Sequence, residues 1–249
     1  MATQVPFSTP TPETKPAPYA TLTADQQIKY DELLAAAKSW TTLPTTTLKG
    51  AEEAPLSDDE HLWLTRECLL RYLRASKWNL PQAIKRVQDT LVWRREYGTA
   101  GFTADYISEE NATGKQVVLG FDNEGRPCLY LLPQNQNTKT NPKQVQHLVF
   151  MLERTLDIAP PGQETLALLI DFRNSSAGSQ PNIATGRQVL SILQNHYPER
   201  LGRALITHRE SHFSFFFFST YSIVTAPIGF DRPLQRSLRH IQVVFTKLN

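Results

Sequence analysis

The chain has 249 residues, of which 40% are hydrophobic, so it can bury one substantial core with a small helical addition but not two large domains. Its formal net charge is +2 at pH 7, and its lysines and arginines do not cluster with aromatic side chains, which argues against a nucleic-acid partner. Cys68 and Cys128 lie in apolar segments with no signal peptide ahead of them, so we expect buried thiols and a cytosolic protein.

The N-terminal part of the chain predicts a tail, a helix and a linker. Residues 1–20 are rich in proline and threonine and poor in aliphatic side chains, so we expect a disordered tail. Thr23 and Gln26 form a capping box for a helix that runs through about Ser39. The predicted apolar stripe of this helix consists of Ile28, Leu33, Leu34 and Ala37. Residues 41–55 are typical of a linker.

Two further helices follow and predict a helical hairpin. Ser57 and Glu60 form a second capping box, which opens one continuous helix. The apolar face predicted for it includes Leu62, Leu69 and Leu73. Asn79 caps the next helix, which has a proline in its first turn and ends at Gly98. We therefore predict an N-terminal helical subdomain over residues 21–98.

Residues 99–207 predict an α/β domain. Gln116 to Phe121 and Pro127 to Leu132 are two strands separated by an Asn-Glu-Gly turn, which indicates an antiparallel pair. Asn141 is the predicted cap of the helix that follows. The apolar run from Leu166 to Ile170, closed by Asp171, is typical of a strand that is covered on both faces.

A helix ending at His196 and a strand from Arg203 to Ile206 complete this part of the chain. Strand, crossover helix and strand together are typical of a parallel sheet with helices packed on it. The histidines have no metal-site spacing, and no GxSxG, P-loop or GxGxxG motif is present. We therefore predict no metal, no cofactor and no enzymatic activity.

These segments, in this order, resemble the CRAL-TRIO lipid-binding family. The motifs that carry the resemblance are LLRYLRASKW, GRPCLYLLP, LLIDF and HYPERLGRALI, over about Leu56 to Thr207, and they look most like fungal phosphatidylinositol transfer proteins of the azole- and sterol-tolerance branch. The resemblance implies an N-terminal helical bundle and a mixed, mainly parallel sheet flanked by helices that encloses one lipid. It also implies a monomer that takes phosphatidylinositol, or a sterol-like ligand, between the endoplasmic reticulum and other membranes by transient contact.

The resemblance further implies roles for single residues. Glu199 of the HYPER motif would help to hold the inositol headgroup, and Lys77 would lie near its phosphate. Ser76 stands where many relatives have arginine, which removes one guanidinium contact. Tyr130 and Phe150 would line the lipid cavity.

Each of these residues also has a plainer interpretation. Glu199 would then be a surface carboxylate paired with a neighbouring arginine, and Lys77 a solvated charge at a helix end. Tyr130 and Phe150 would be ordinary core aromatics. Asp171 is either a catalytic or metal-binding carboxylate or an acceptor for loop N–H groups. A hydrolase that uses Asp171 and a histidine is accordingly a remote third hypothesis.

Residues 208–249 depart from the family pattern, and we expect an altered reading of the gene there. The helix that covers the lipid in relatives is replaced by an apolar segment around Phe215–Phe218. Pro233–Phe245 predicts either a basic amphipathic helix that touches membranes or random reading-frame sequence. Two acyl chains exposed to water would cost on the order of 25 kcal/mol, so without a cover we expect weak or absent transfer. A membrane-recruitment module that does not transfer lipid, or a defective isoform, is the alternative.

Overall fold

The computed structural model describes residues 9–14, 21–176 and 182–207, with side-chain surroundings up to residue 205. The predictions for residues 208–249, and for the tail apart from residues 9–14, lie outside this part of the chain. The described residues divide into two compact units. The helical unit contains residues 21–104 and 190–200, and the sheet unit contains residues 9–14, 105–189 and 201–207.

The helical unit consists of helices and one short hairpin. Its elements are α1 (Ala24–Ser39), β1 (Thr42–Pro44), β2 (Glu53–Pro55), α2 (Asp58–Trp63), α3 (Arg66–Ala75), α4 (Leu80–Tyr97) and a 3-10 turn (Thr99–Gly101). Both predicted capping boxes are present, at Thr23 and at Ser57. Gly98 ends α4 in the left-handed conformation, as the sequence predicted.

Two predictions for this unit were wrong. The helix opened by Ser57 is not continuous, because Thr65 caps a new helix by accepting the N–H of Cys68. Leu62 consequently lies outside the core, with 74% of its surface exposed. Residues 41–55 are not a linker, since β1 and β2 pair antiparallel within them.

One arginine of α4 explains why these short strands form. Arg95 donates hydrogen bonds to the carbonyl oxygens of Leu43 (2.5 Å) and Pro55 (2.9 Å), and to the carboxylate of Glu60. It also reaches Ala54 O at 3.2 Å. The guanidinium therefore holds both strands and α2 against α4, a role that no local sequence pattern reveals.

The core of the helical unit lies among α1, α3 and α4. Its fully buried side chains include Leu33, Leu69, Tyr72, Leu73 and Val87. The stripe predicted for α1 is partly wrong, because Ile28 is 57% exposed while Tyr30 is buried. Tyr30 instead belongs to the core cluster of this unit.

The sheet unit is built on a four-stranded sheet in the order β3-β4-β5-β6. Its elements are α5 (Ser108–Asn111), β3 (Gln116–Phe121), β4 (Pro127–Leu131), a 3-10 turn (Pro133–Asn135), α6 (Pro142–Asp157), β5 (Leu166–Asp171), α7 (Ile183–His196) and β6 (Leu201–Thr207). β3 and β4 are antiparallel, whereas β4–β5 and β5–β6 are parallel. The predicted mixed, mainly parallel sheet is therefore confirmed. The division between the two units falls within α7, after Val189.

The charged turn between β3 and β4 is held by hydrogen bonds and an ion pair within the turn and by a contact to the start of β5. Asp122 accepts the backbone N–H groups of Glu124 and Arg126, each at 2.9 Å, and also pairs with the Arg126 guanidinium. Arg126 Nε reaches Thr165 Oγ1 at 3.0 Å, just before β5. A Cβ on Gly202 would clash with Arg126 Nε and Thr165 Oγ1, so a larger residue at this position would force the Arg126 side chain to move.

The described ranges contain no helix that is long and apolar enough to cross a membrane.

Asn141 precedes α6 as predicted, but its side chain does not cap that helix. Its amide instead donates to Glu110 Oε1 at 3.1 Å, so the expected local hydrogen bond gives way to a long-range one.

Candidate functional site

The HYPER motif forms the tight turn that ends α7. Tyr197 N–H donates to Leu193 O at 3.1 Å, and both Tyr197 and Pro198 are buried. Glu199 then adopts the left-handed conformation with φ 58° and is exposed. Such a conformation costs about 1–3 kcal/mol in a residue other than glycine and persists only where the surroundings enforce it. The motif thus presents one carboxylate from a strained turn.

Side chains of α3 and α4 fix the helical end of this turn. The last carbonyl oxygens of a helix have no partner within the helix itself. Here Arg86 Nη2 donates to Gln194 O at 2.9 Å, and Tyr72 Oη lies 3.1 Å from His196 O. The Thr90 hydroxyl lies 3.4 Å from Asn195 O. Polar side chains of α3 and α4 therefore surround the C-terminal carbonyls of α7.

The imidazole of His196 is held equally firmly. Its ring stacks on Trp93 with the centroids 4.1 Å apart and the planes 4° from parallel. Its Nδ1 atom lies 3.1 Å from the Thr90 hydroxyl. Burial lowers the pKa of His196 to about 4, with Asp89 acting in the opposite direction, so the ring is neutral near pH 7. In a neutral ring Nδ1 either accepts the proton of Thr90 Oγ1 or donates its own, depending on the tautomer.

Ser76 and Lys77 lie in the junction between α3 and α4. Ser76 ends α3 and is 3% exposed, and its buried Oγ makes no hydrogen bond with any residue that the structure describes. Lys77 and Trp78 both adopt the left-handed conformation, with φ 51° and 60°. Trp78 packs against the core, whereas Lys77 is exposed. In this turn, as in that of Glu199, the backbone conformation is unfavourable and one charged residue is exposed.

The structure places Ser76, Lys77 and Glu199 in the same compact unit. Within the described residues, the side chains of Lys77 and Glu199 make neither a hydrogen bond nor an ion pair. The surface position in the plainer interpretation of Glu199 is observed, whereas a pair with a neighbouring arginine is not seen among the described residues.

Tyr130 and Phe150 belong to the sheet unit. Tyr130 lies on β4 opposite Leu169 of β5 and is half-buried, and burial raises the pKa of its phenol. Phe150 lies half-buried on α6, with the Arg154 guanidinium 5.6 Å from its ring centroid. Their predicted contact with a lipid remains a prediction.

Asp171 has the surroundings of a structural carboxylate. It is 8% exposed and accepts the backbone N–H of Arg173 at 2.9 Å, which is the loop contact considered from the sequence. Arg173 also lies 3.8 Å from its other oxygen. In the part of the chain that the structure describes, no group of His, Cys, Asp and Glu residues has the arrangement of a metal site.

Sequence reasoning missed a buried polar cluster in the sheet unit. Glu110 is completely buried and forms a short ion pair with Lys115, which also contacts Asn137 at 2.9 Å. Burial alone would raise the pKa of Glu110, but hydrogen bonds from Lys115, Asn141 and Thr138 hold it below its usual range. The only sequence signal was the density of Asn, Gln and Thr residues between Gln134 and Asn141.

Glu199 and Lys77 are thus an exposed carboxylate and an exposed cation on left-handed turns, and sequence comparison identifies the class of protein to which they belong. The CRAL/TRIO domain model matches residues 111–226, and the CRAL/TRIO N-terminal domain model matches residues 29–89. The chain belongs to the CRAL-TRIO family, as its motifs predicted. The matched region begins before Leu56 and continues beyond β6.

Particular relatives narrow this assignment. A CRAL-TRIO domain-containing protein of Schizosaccharomyces pombe is 54% identical over 188 residues, which are 76% of this chain and 19% of that protein. The phosphatidylinositol transfer protein PDR17 of Saccharomyces cerevisiae is 47% identical over 168 residues, 63% of this chain and 48% of that protein. The chain thus spans less than half the length of either relative.

The fold also matches a solved structure. The crystal structure of Sfh5 has a TM-score of 0.57 with this chain at 15% identity, and the match covers 83% of this chain and 78% of that one. At this level of identity the likeness establishes the shared architecture of sheet and N-terminal helices.

Proposed function

We propose that the protein binds one phospholipid with an inositol headgroup and transfers it between membranes without chemical change. The observation that carries the proposal is Glu199, an exposed carboxylate that lies in a strained turn within the HYPER motif and pairs with none of the described residues. Membership of the CRAL-TRIO family and similarity to PDR17, a phosphatidylinositol transfer protein, support the same function.

The chemistry of the two exposed charges suits such a headgroup. A carboxylate only accepts hydrogen bonds, and an inositol ring is surrounded by hydroxyl donors. A lysine ammonium gives a charge-assisted contact to a phosphate. In this proposal Glu199 accepts hydrogen bonds from the hydroxyls of the inositol ring, and Lys77 lies near the phosphate. The buried hydroxyl of Ser76, which has no hydrogen-bond partner among the described residues, would lie beside it, without the guanidinium of relatives that have arginine there.

The acyl chains require an apolar enclosure during transfer through water. Each methylene that leaves the bilayer for water costs about 0.8 kcal/mol, so two exposed chains would prevent transfer. We propose that Tyr130 and Phe150 contribute to this enclosure in the sheet unit. The membranes visited, including the endoplasmic reticulum, and the monomeric state are part of the proposal.

A vesicle assay tests the function directly. Donor vesicles that contain fluorescent phosphatidylinositol are mixed with unlabelled acceptor vesicles, and the rate of exchange is recorded with and without the protein. We expect the protein to raise the rate in proportion to its concentration, and E199Q to reduce that gain by about tenfold through loss of a charge-assisted acceptor.

The same assay separates the alternatives. A protein that binds the vesicles but leaves the exchange rate at its spontaneous value would be a recruitment module or a defective carrier. Hydrolysis of the lipid, detected by mass spectrometry of the recovered vesicles, would indicate an enzyme. Either result would overturn the proposed function.

A further inference from the structure

Two side chains of α4 hold the end of α7 from which Glu199 projects. Arg86 Nη2 donates to Gln194 O at 2.9 Å, and Thr90 Oγ1 lies 3.1 Å from His196 Nδ1. Both contacts lie within the helical unit. Neither residue adjoins Glu199 in the sequence, and no local motif points to them.

The Thr90 hydroxyl is the centre of a buried hydrogen-bond chain. Thr90 is 1% exposed and Tyr72 is completely buried, and the two hydroxyl oxygens are 2.9 Å apart. Thr90 Oγ1 also lies 3.1 Å from His196 Nδ1, so it connects the Tyr72 hydroxyl to the imidazole. The three groups therefore form one buried hydrogen-bond network at the end of α7.

Between this chain and Glu199 the backbone has little freedom. Tyr197 is 7% exposed and meets the edge of Trp93 with the ring centroids 6.1 Å apart. Pro198 is buried, and its ring fixes φ. Only these two buried residues separate His196 from Glu199, so we expect a shift of the His196 backbone to move Glu199 as well.

We infer that Thr90 and Arg86 are positioning residues for the Glu199 carboxylate, and that they set the preference of the site for a headgroup rich in hydroxyls. Neither residue is proposed to touch the lipid. Hydrogen bonds to a polyol depend steeply on distance and angle, so a small displacement of the carboxylate weakens them. The inference rests on the proposed function, in which Glu199 accepts hydrogen bonds from the headgroup.

A comparison of two lipids separates positioning from general stability. Phosphatidylinositol competes for the protein with phosphatidylmethanol, which has the same charge and acyl chains but no headgroup hydroxyl. We expect the wild type to prefer phosphatidylinositol, and E199Q to lose about tenfold of that preference. T90V, which keeps the shape of the side chain, should lose about fivefold, whereas T90S, which keeps the hydroxyl, should retain the preference.

The double variant gives the sharper result. If Thr90 acts through Glu199, T90V/E199Q should lose only the tenfold of E199Q, rather than the roughly fiftyfold expected of independent effects. R86M should behave as T90V does, and it provides a second test if T90V does not fold. The matched control is T155V, which removes a buried hydroxyl that bonds Met151 O in the sheet unit and should leave the preference unchanged.

The outcomes distinguish the two proposals. If the wild type shows no preference for phosphatidylinositol, the proposed function fails. If E199Q loses the preference while folded T90V and R86M keep it, only the positioning role is overturned. An equal loss of affinity for both lipids in T90V and R86M would also overturn it, because that result indicates a merely structural role.

Discussion

The charged turns of the sheet unit and of the helical unit differ in how their charges are used. Between β3 and β4, Asp122 pairs with Arg126, and Glu124 with Arg203 at 3.2 Å. In the helical unit, Lys77 and Glu199 lie on left-handed turns, and their side chains make no ion pair with any described residue. Paired charges stabilise a turn, whereas exposed charges on strained turns add little to stability. The turns of the helical unit therefore keep these two charged groups exposed to solvent.

The largest expected effect is a loss of folding stability at low pH. In each unit, one buried histidine should cause this loss. Burial lowers the pKa of His147 in the sheet unit, and of His196 in the helical unit, to about 4. An unfolded histidine titrates near 6.5, so between about 6.5 and 4 the unfolded chain binds more protons than the folded one. Stability should therefore fall with decreasing pH by about 1.4 kcal/mol per pH unit for each histidine.

Urea unfolding at pH 5 to 7 checks this dependence, in a range where most carboxylates remain charged. H147Q should remove the contribution of the sheet unit to the slope, and H196Q that of the helical unit. If both variants keep the full slope of the wild type, these histidines are not the acid-sensitive groups.

Next in size is the effect of a methyl group at Gly202. In G202A the new Cβ would lie 2.4 Å from Arg126 Nε and 2.5 Å from Thr165 Oγ1, so the guanidinium must move away from its partners. We expect a loss of about 3 kcal/mol in the free energy of unfolding. The control is G101A, where a Cβ meets nothing within 4 Å. Equal stability of the two variants would show that Arg126 yields without cost.

Removal of the Arg95 guanidinium should loosen the β1–β2 hairpin. R95M leaves the Glu60 carboxylate and the Leu43 and Pro55 carbonyl oxygens without their donor. We expect a loss of about 2 kcal/mol and faster proteolysis of residues 45–52. K85M, which breaks the exposed pair with Asp89 on the same helix, should cost no more than about 0.5 kcal/mol. Unchanged proteolysis in R95M would contradict the role given to Arg95.

The smallest effect isolates the strain at Glu199. Glycine adopts φ 58° without a steric penalty, whereas alanine does not. We therefore expect E199G to be more stable than E199A by about 1 kcal/mol in thermal unfolding, although both variants lose the carboxylate. If E199A is as stable as E199G, the turn is not strained and the functional argument from its conformation loses its basis.

Much of the fold could be predicted because its signals are local. The capping box at Thr23, the Asn79 cap and the Gly98 stop lie within or beside the helices that they define. The turn residues 122–126 likewise predicted the β3–β4 pair. The errors arose where distant residues decide the structure, as when Arg95 orders the hairpin or Glu110 captures the amide of Asn141.

The candidate site was predicted only in part. Family motifs pointed to Ser76, Lys77 and Glu199, and the structure adds that two of these have left-handed backbones. The supporting residues were not predictable, because Tyr72 and Thr90 meet His196 across more than a hundred positions of sequence. A threonine within a helix shows no local sign of such a contact.

The central claim is that the protein binds one lipid whose inositol ring donates hydrogen bonds to Glu199. Native mass spectrometry of the full chain, purified without detergent from cells that contain phosphatidylinositol, tests it most directly. We predict one phosphatidylinositol per chain for the wild type and a strongly reduced fraction for E199Q. A wild-type chain without lipid, or an E199Q chain that retains phosphatidylinositol at the wild-type level, would contradict the claim.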